Sequence, residues 1–295
     1  DSSYLAYLGA KKWGLRILAV HVDDGFDTEI ARSNIERLSG ELKIKLITEK
    51  LNYRQYYDVI KAFVLAGVPG IANIQDNIIK SSLLKTAKDF HIRSLLSGQN
   101  FASESILQKG YGHNASDGYH IKAIYKAFGT GSIEDLPIIG LLTSYVGQRY
   151  IWRIKRYKPL NLIEYNIQQA ISELRSSIGF EYYDGKHYES LLTQFTQKYY
   201  LPRKFSVDKR KSHLSSLIIS GQISRDEALR ELRTPIADEG NIEHVVNAVL
   251  EKIGIGREEF KELMDKPGIS HDSYRTSWLS KFSRVARKYR KILTD

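Results

Sequence analysis

The first hundred residues alternate between apolar runs and helical patterns, and this alternation limits the fold more than any other feature. The run LRILAVHVDD is rich in β-branched residues and closes on two acids, as a buried parallel strand does. IKLITEKL and IRSLLSGQN predict two further strands, and helical patterns separate all three, the first with Asp27 as its N-cap. We therefore expect an α/β fold with a doubly wound, mainly parallel sheet and helices on both faces.

The pattern becomes mainly helical after about Lys158. Six helical segments follow, beginning with NIQQAISELRSSIG and ending with REEFKELM. This change predicts an α/β domain over residues 1–157 and a mainly helical region for substrate or partner over residues 158–295.

Ligands of such sheets bind at the carboxyl ends of the strands. The first predicted strand ends at Asp23 and Asp24, and the third ends in the turn Ser97, Gly98, Gln99 and Asn100. Glycine allows close approach of a ligand to the backbone, and the amides can make polar contacts. These two strand ends are the candidate binding residues.

The first element of the chain reads as a helix, although a doubly wound sheet normally opens on a strand. Its leading residues are Asp1, Ser2 and Ser3, and the free N–H groups at a helix N-terminus suit an anion. By themselves these residues are ordinary N-caps. The order of elements predicts an upstream strand and a phosphate-binding loop of which only the end is present.

Composition excludes several kinds of chemistry. The chain has no cysteine, so it offers no thiolate nucleophile, disulfide or cysteine-based zinc site. The net charge of +10 favours anionic ligands such as nucleotides, acidic sugars or RNA, although most basic runs are solvated faces. No run approaches the roughly 20 apolar residues of a membrane span, and no signal peptide is evident, so we expect a soluble, cytoplasmic protein.

Several motifs follow one another in the order found in a known family. They are DSSYLAYLGAKKWG, LAVHVDDGFDTE, LSGQNFASESIL, GYGHNASD, YDGKHYES, LPRKFSVDKRKSHLSSLI and SGQISRDEAL. The first two resemble the PP-loop, or N-type ATP pyrophosphatase, superfamily, whose fold is Rossmann-like, of the adenine nucleotide alpha hydrolase type. Together the motifs resemble the N-acetyl sugar amidotransferases of lipopolysaccharide O-antigen and nonulosonic acid biosynthesis, from Asp1 to about Leu232.

The resemblance implies an enzyme that activates the acetamido oxygen of a sugar with ATP and replaces it with ammonia. The products would be an acetamidino sugar, AMP and pyrophosphate. ATP and Mg²⁺ are the expected cofactors, and the sugar is expected to be anionic, free or nucleotide-linked. By this resemblance the ATP-binding residues are Asp1, Ser2 and Ser3 at the pyrophosphate, Val22, Asp23 and Asp24 at the adenosine, and Ser97, Gly98, Gln99 and Asn100.

Mg²⁺ prefers one or two carboxylates together with phosphate oxygens, and Asp1 and Glu104 are the predicted pair. Asp76 is a weaker candidate. Zn²⁺ is expected only in a cysteine-rich segment upstream of these residues, which the family usually has. His113 and His120 do not have a zinc-binding spacing and are interpreted as loop or substrate-pocket residues.

The second half supplies the predicted catalytic residues, Lys186, His187, Lys209 and Arg210. Fixed cations can stabilise the charge that builds on phosphate oxygens, and histidine can accept a proton near neutral pH. For the run KRK a solvated face is the alternative, and His187 is equally well a structural histidine.

A glutaminase commonly needs a cysteine nucleophile, so the ammonia is expected from a separate glutaminase subunit. Two other functions remain open. One is a PP-loop enzyme that modifies tRNA, for which the basic aromatic run RYIWRIKRYK could bind phosphates, although nucleic acid is not the expected partner. The other is a non-catalytic ATP-binding protein, because a fold alone does not fix a function.

Overall fold

The computed structural model describes residues 1–108, 111–183 and 188–280. The chain divides into two compact units, and each is assembled from segments on both sides of residue 158. Unit 1 comprises residues 1–50, 94–110 and 155–249, and unit 2 comprises residues 51–93, 111–154 and 250–295. The division into domains 1–157 and 158–295 stays a prediction.

Helices dominate the described residues. They are α1 Ser2–Tyr7, α2 Glu29–Glu41, α3 Tyr53–Leu65, α4 Asn73–Asp89, α5 Phe101–Glu104, α6 Gly118–Phe128, α7 Ile167–Ile178, α8 Leu191–Gln194, α9 Leu201–Phe205, α10 Arg210–Ile219, α11 Arg225–Arg233, α12 Glu239–Ile253 and α13 Arg257–Asp265. The strands are β1 Leu18–Asp23, β2 Lys45–Lys50, β3 Ser94–Leu96 and β4 Lys155–Tyr157. Three π-helical segments, Leu8–Lys12, Thr143–Ile151 and Phe195–Tyr200, and two 3₁₀ turns, Pro159–Asn161 and His271–Ser273, complete the set.

The predicted first strand, helix and second strand form a βαβ unit in unit 1. Strand β1 pairs with β2 in parallel, with Leu18 opposite Lys45 and Asp23 opposite Lys50, and α2 connects them. Helix α2 begins one residue later than predicted, because the side chain of Thr28, not Asp27, accepts the backbone N–H of Ala31. The Asp27 carboxylate pairs instead with His21.

A second parallel pair joins β3 to β4, with Ser94 opposite Lys155. The described strands thus form two separate two-stranded sheets, not one continuous sheet. The mixed α/β class and the mainly helical content are confirmed, whereas the single doubly wound Rossmann-like sheet stays a prediction. Strand β4 has every residue exposed, so it carries no apolar run from which it could have been predicted.

The core of unit 1 joins α1 to α7 and to the loop before β2. Tyr4 and Tyr7 of α1 both donate hydrogen bonds from their hydroxyls to the carboxylate of Glu173 on α7. The residues buried in this cluster are Tyr4, Leu5, Tyr7, Leu8, Leu42, Ile44, Leu160, Tyr165, Ala170, Leu174, Ile178 and Phe180. The N-terminal helix is therefore fixed by packing on a helix 165 residues later in the sequence, and this packing holds its N-terminus in place.

Unit 2 is organised around α3, α4 and α6. Asn77 of α4 is fully buried, and its side chain makes three hydrogen bonds to backbone groups of loop residues. Its amide N–H groups donate to the carbonyls of Ala115 and Ile139, and its carbonyl accepts the backbone N–H of Ile139. This side chain anchors the loops on both sides of α6, a helix that the sequence analysis did not predict.

Candidate functional site

The N-terminus of α1 lies against the turn that follows β3. A Cβ atom added to Gly98 would lie 2.8 Å from the backbone nitrogen of Ser2 and 3.0 Å from its Oγ. Only glycine fits at this distance without a shift of backbone. Two of the predicted binding segments, Asp1 to Ser3 and Ser97 to Asn100, are therefore brought together.

Asp1 takes part in a further contact at this place. The hydroxyl of Tyr165 donates a hydrogen bond of 2.5 Å to its carboxylate. Burial is the main cause of the raised pKa of Tyr165, and electrostatic effects of Tyr4, Tyr182 and Glu104 add to it. Glu104 lies on α5, the helix that follows the β3 turn.

The rest of the β3 turn is held by its own side chains. Asn100 is buried and caps α5, since its carbonyl accepts the N–H and the hydroxyl of Ser103. Its amide donates to the carbonyl of Gly98. The backbone N–H of Gln99 donates to the hydroxyl of Ser97. Asn100 therefore shapes the turn around Gly98.

Asp23 is the last residue of β1 and Asp24 follows it, as predicted, and both stabilise the turn there. The carboxylate of Asp23 accepts the N–H of Gly25, and that of the buried Asp24 accepts the N–H of Phe26. Gly25 has a φ of 79°, a conformation that favours glycine. Val22 lies within β1 opposite Glu49. The two acids therefore fix the path of the loop.

His21 and Asp27 form an ion pair that sequence reasoning missed. The Nε2 atom of His21 lies 3.0 Å from a carboxylate oxygen of Asp27. This hydrogen bond raises the pKa of His21, against the effect of burial and with help from the charges of Asp23 and Asp24. The position of His21 among the acids of the segment LAVHVDDGFD is the sequence signal that could have indicated this ion pair.

The turn after β1 also pairs with the motif YDGKHYES. The N–H of Thr28 donates to the carbonyl of Glu189, and the N–H of Leu191 donates to the carbonyl of Phe26. Asp27 and Ser190 form an antiparallel bridge between these contacts. Two motifs about 160 residues apart are thus in direct backbone contact. Lys186 and His187 lie outside the described residues, immediately before this bridge.

Helix α10, which carries the basic motif, packs against α5 and the loop after it. His213 Nδ1 lies 3.3 Å from the carbonyl of Ser103. The N–H groups of Ile106 and Gln108 donate to the hydroxyls of Ser216 and Ser212. Three side chains of one helix therefore bind α5 and the loop after it.

The predicted catalytic cations at the start of α10 have different surroundings. Lys209 is half-buried at the N-cap. The guanidinium of Arg210 forms a bidentate pair with Asp208, at 2.8 Å, and donates to the carbonyls of Glu231 and Thr234 at the end of α11. Arg210 thus holds α11 in place, and its catalytic role stays a prediction.

Unit 2 contains a buried histidine cluster, formed by His113, His120 and His271. His113 lies in a loop, as expected, but His120 lies on α6. The Nε2 atom of His120 is 2.9 Å from the Nδ1 atom of His271, and Nδ1 of His120 is 3.1 Å from the carbonyl of Arg275. The Nε2 atom of His271 is buried without a hydrogen-bond partner. The sequence analysis did not identify His271, because it lies 151 positions after His120 and no motif surrounds it.

Burial favours the neutral forms of His120 and His271, whereas Asp117 beside them stays charged. Burial, reinforced by the neighbouring histidines, lowers the pKa of His120 to about 4 and that of His271 to about 3. Burial would raise the pKa of Asp117, but hydrogen bonds from His113, Ser280 and two backbone N–H groups lower it to about 2. Within the described ranges no group of three or more His, Asp or Glu side chains is arranged to hold a metal ion. Asp76, the weaker candidate for a Mg²⁺ ligand, lies on α4 in unit 2, whereas Asp1 belongs to unit 1.

Residues 189–287 match the family described as LPS biosynthesis protein WbpG-like, C-terminal domain. The match supports a protein of lipopolysaccharide biosynthesis. It covers about a third of the chain and includes Ser190, Arg210 and His271. No curated protein matches the chain. No helix within the described residues is long and apolar enough to cross a membrane.

The WbpG-like segment contributes three of the contacts that assemble unit 1. Its first residues pair with the β1 turn, its α10 binds the segment after β3, and Gln222 donates from its amide to the carbonyl of Tyr165. The residue that orients Asp1 is thus itself oriented by this segment. The part of the matched segment that lies in unit 1 thus packs against the N-terminal motifs.

Proposed function

We propose that this chain is the synthetase component of an ATP-dependent amidotransferase that converts the N-acetyl group of a sugar into an acetamidino group during lipopolysaccharide biosynthesis. One observation carries the proposal. The N-terminus of the first helix and the glycine turn after β3 meet at a distance that only glycine permits, so two of the segments proposed to bind ATP are adjacent. The WbpG-like match supports the pathway.

The residues at this place fit ATP and Mg²⁺. The backbone N–H and the hydroxyl of Ser2, at the N-terminus of α1, are the donors that would bind the pyrophosphate end of ATP. Asp1 and Glu104 would hold Mg²⁺, which needs only one or two protein carboxylates when phosphate oxygens are present. Mg²⁺ would supply neutralisation of the phosphate charge. Val22, Asp23 and Asp24 would border the adenosine.

The proposed reaction balances as acetamide, ATP and ammonia giving acetamidine, AMP and pyrophosphate. The acetamido oxygen attacks the α-phosphorus, the bond to pyrophosphate breaks, and ammonia then adds to the acetamido carbon. AMP leaves with the former amide oxygen, and two protons of ammonia are released. His187, three positions before Ser190 in the sequence, is the proposed acceptor of one of these protons, and the other passes to pyrophosphate or solvent.

Fixed cations near the departing pyrophosphate would stabilise its charge better than mobile water. We assign this role to Lys186 and Lys209. Lys209 suits it because it is half-buried at the start of α10, the helix that binds the segment after Gly98. Lys211 is exposed on the same helix and has no assigned role.

Ammonia would come from a separate glutaminase subunit, because this chain contains no cysteine for a thiolate nucleophile. Efficient use of glutamine by the purified chain alone would contradict this part of the proposal. Free ammonium should replace the glutaminase in either case.

The test incubates the protein with ATP, Mg²⁺, ammonium and a panel of N-acetylated nucleotide sugars. AMP release together with a decrease of about one mass unit in the sugar is expected, because oxygen is replaced by NH. Lys209→Ala should lower turnover by about a hundredfold or more while ATP affinity changes little, as removal of a transition-state contact does. Lys211→Ala is the matched control and should retain activity. ATP binding without AMP or a mass change would refute the amidotransferase.

A further inference from the structure

The outward face of the segment Leu142–Arg153 in unit 2 is apolar and cationic, which is unusual for an exposed helix. Residues of a surface helix that point outward are normally polar. Here Leu142 is 58% exposed, Tyr150 66% and Ile151 71%. The opposite side packs inward, since Ser144 and Gly147 are buried. This face therefore presents large apolar side chains to solvent.

The exposed apolar side chains lie close to one another in the sequence. Leu142, Tyr145, Val146, Tyr150 and Ile151 are all exposed along this π-helical segment, between the buried Ser144 and Gly147 and beyond them. Trp152 is only partly exposed, because its ring lies over Gly147: a Cβ atom added to this glycine would be 3.5 Å from the ring. A contiguous apolar patch of this kind on a folded chain marks an interaction surface.

The charged residues of this face are cations. Within unit 2, the sequence from Leu136 to Ile154 contains two Arg residues and no Asp or Glu. Arg149 and Arg153 are exposed within the face itself. Arg149 lies 5.6 Å from the ring centre of Tyr150, and the ammonium of Lys80 lies 4.9 Å from that of Tyr145. The face thus combines cations, tyrosines and aliphatic side chains.

We propose that this face binds the surface of an anionic phospholipid bilayer. Aliphatic side chains gain by entering the acyl boundary, tyrosines favour the headgroup level, and arginines pair with lipid phosphates. An RNA would use the arginines and tyrosines but would leave Leu142, Val146 and Ile151 unused. The exposed aliphatic side chains therefore favour a lipid surface over RNA as the partner of this face. The contact is peripheral and independent of the amidotransferase proposal.

The test measures co-sedimentation of the protein with vesicles of equal parts phosphatidylglycerol and phosphatidylcholine, and with vesicles of phosphatidylcholine alone. Binding to the anionic vesicles is expected, and it should weaken as salt is raised. The double variant Arg149→Gln with Arg153→Gln removes both arginines and should weaken binding about thirtyfold. Each cation near an anionic surface strengthens binding by a factor of roughly five to six, and the two factors multiply. Tyr150→Ser with Ile151→Ser should weaken binding at least tenfold while retaining residual salt sensitivity.

Matched controls lie on α11, which carries exposed residues of the same types. Arg225→Gln with Arg233→Gln, and Leu229→Ser, should leave vesicle binding within about twofold of the unmodified protein. Circular dichroism confirms that each variant is folded. Binding to a mixed tRNA sample without binding to anionic vesicles would overturn the proposal. Equal loss in the α11 controls, no vesicle binding, or apolar variants that bind normally would overturn it as well.

Discussion

The buried histidine cluster of unit 2 predicts a specific loss of stability in mild acid. His120 and His271 have pKa values lowered from 6.5 to about 4 and about 3. The unfolded chain therefore takes up protons on these groups before the folded chain does. The protein is therefore most stable, with respect to these two groups, above about pH 6.5. This stability is lost progressively as the pH falls from about 6.5 to the folded-state pKa values.

The magnitude follows from linkage. One pKa unit corresponds to about 1.4 kcal/mol. Between about pH 8 and pH 5 each histidine should cost about 2 kcal/mol of unfolding free energy, because at pH 5 it is charged in the unfolded chain and still neutral in the folded chain. The pair together should cost about 4 kcal/mol. Mutual repulsion between the two does not alter this sum, since neither is charged in the folded state at that pH.

The assay compares urea unfolding of the unmodified protein and His271→Gln at the two pH values, followed by far-ultraviolet circular dichroism. The variant should lose about 2 kcal/mol less between pH 8 and pH 5 than the unmodified protein does, whatever its starting stability. His244→Gln, which removes an exposed histidine, should leave the pH-dependent loss unchanged. A His271→Gln protein with the same pH-dependent loss as the unmodified protein would show that the cluster is not held neutral.

Three further substitutions test individual contacts. Gly98→Ala should lower ATP affinity more than tenfold, because its Cβ meets the Ser2 backbone, whereas Gly9→Ala meets only the flexible end of Ile17 and should bind ATP normally in a calorimetric titration. Asn77→Ala should cost about 3 kcal/mol or more in urea unfolding, since it leaves buried backbone groups unpaired; a cost under about 1 kcal/mol would contradict this. Arg210→Lys should lower the thermal midpoint by a few degrees through loss of the bidentate pair, while Lys211→Arg should not.

The local elements could be predicted because they depend on neighbours in sequence. Strand β1 and helix α7 follow from their apolar spacing, and the left-handed Gly179 that ends α7 is a common stop signal. The elements between the β3 turn and residue 158 could not be predicted this way. Helix α6 follows a Gly-containing stretch and β4 is wholly polar or exposed, so neither carries a decisive period.

The candidate site shows the same division. The sequence by itself determined which residue types are present, the helix that begins after Asp1, the glycine turn after β3, and the absence of cysteine chemistry. Only the tertiary structure decided that Ser2 meets Gly98, that Tyr165 holds Asp1, and that His271 joins His113 and His120. These contacts join residues roughly 100 to 160 positions apart, so they depend on the packing of whole helices, which no local pattern specifies.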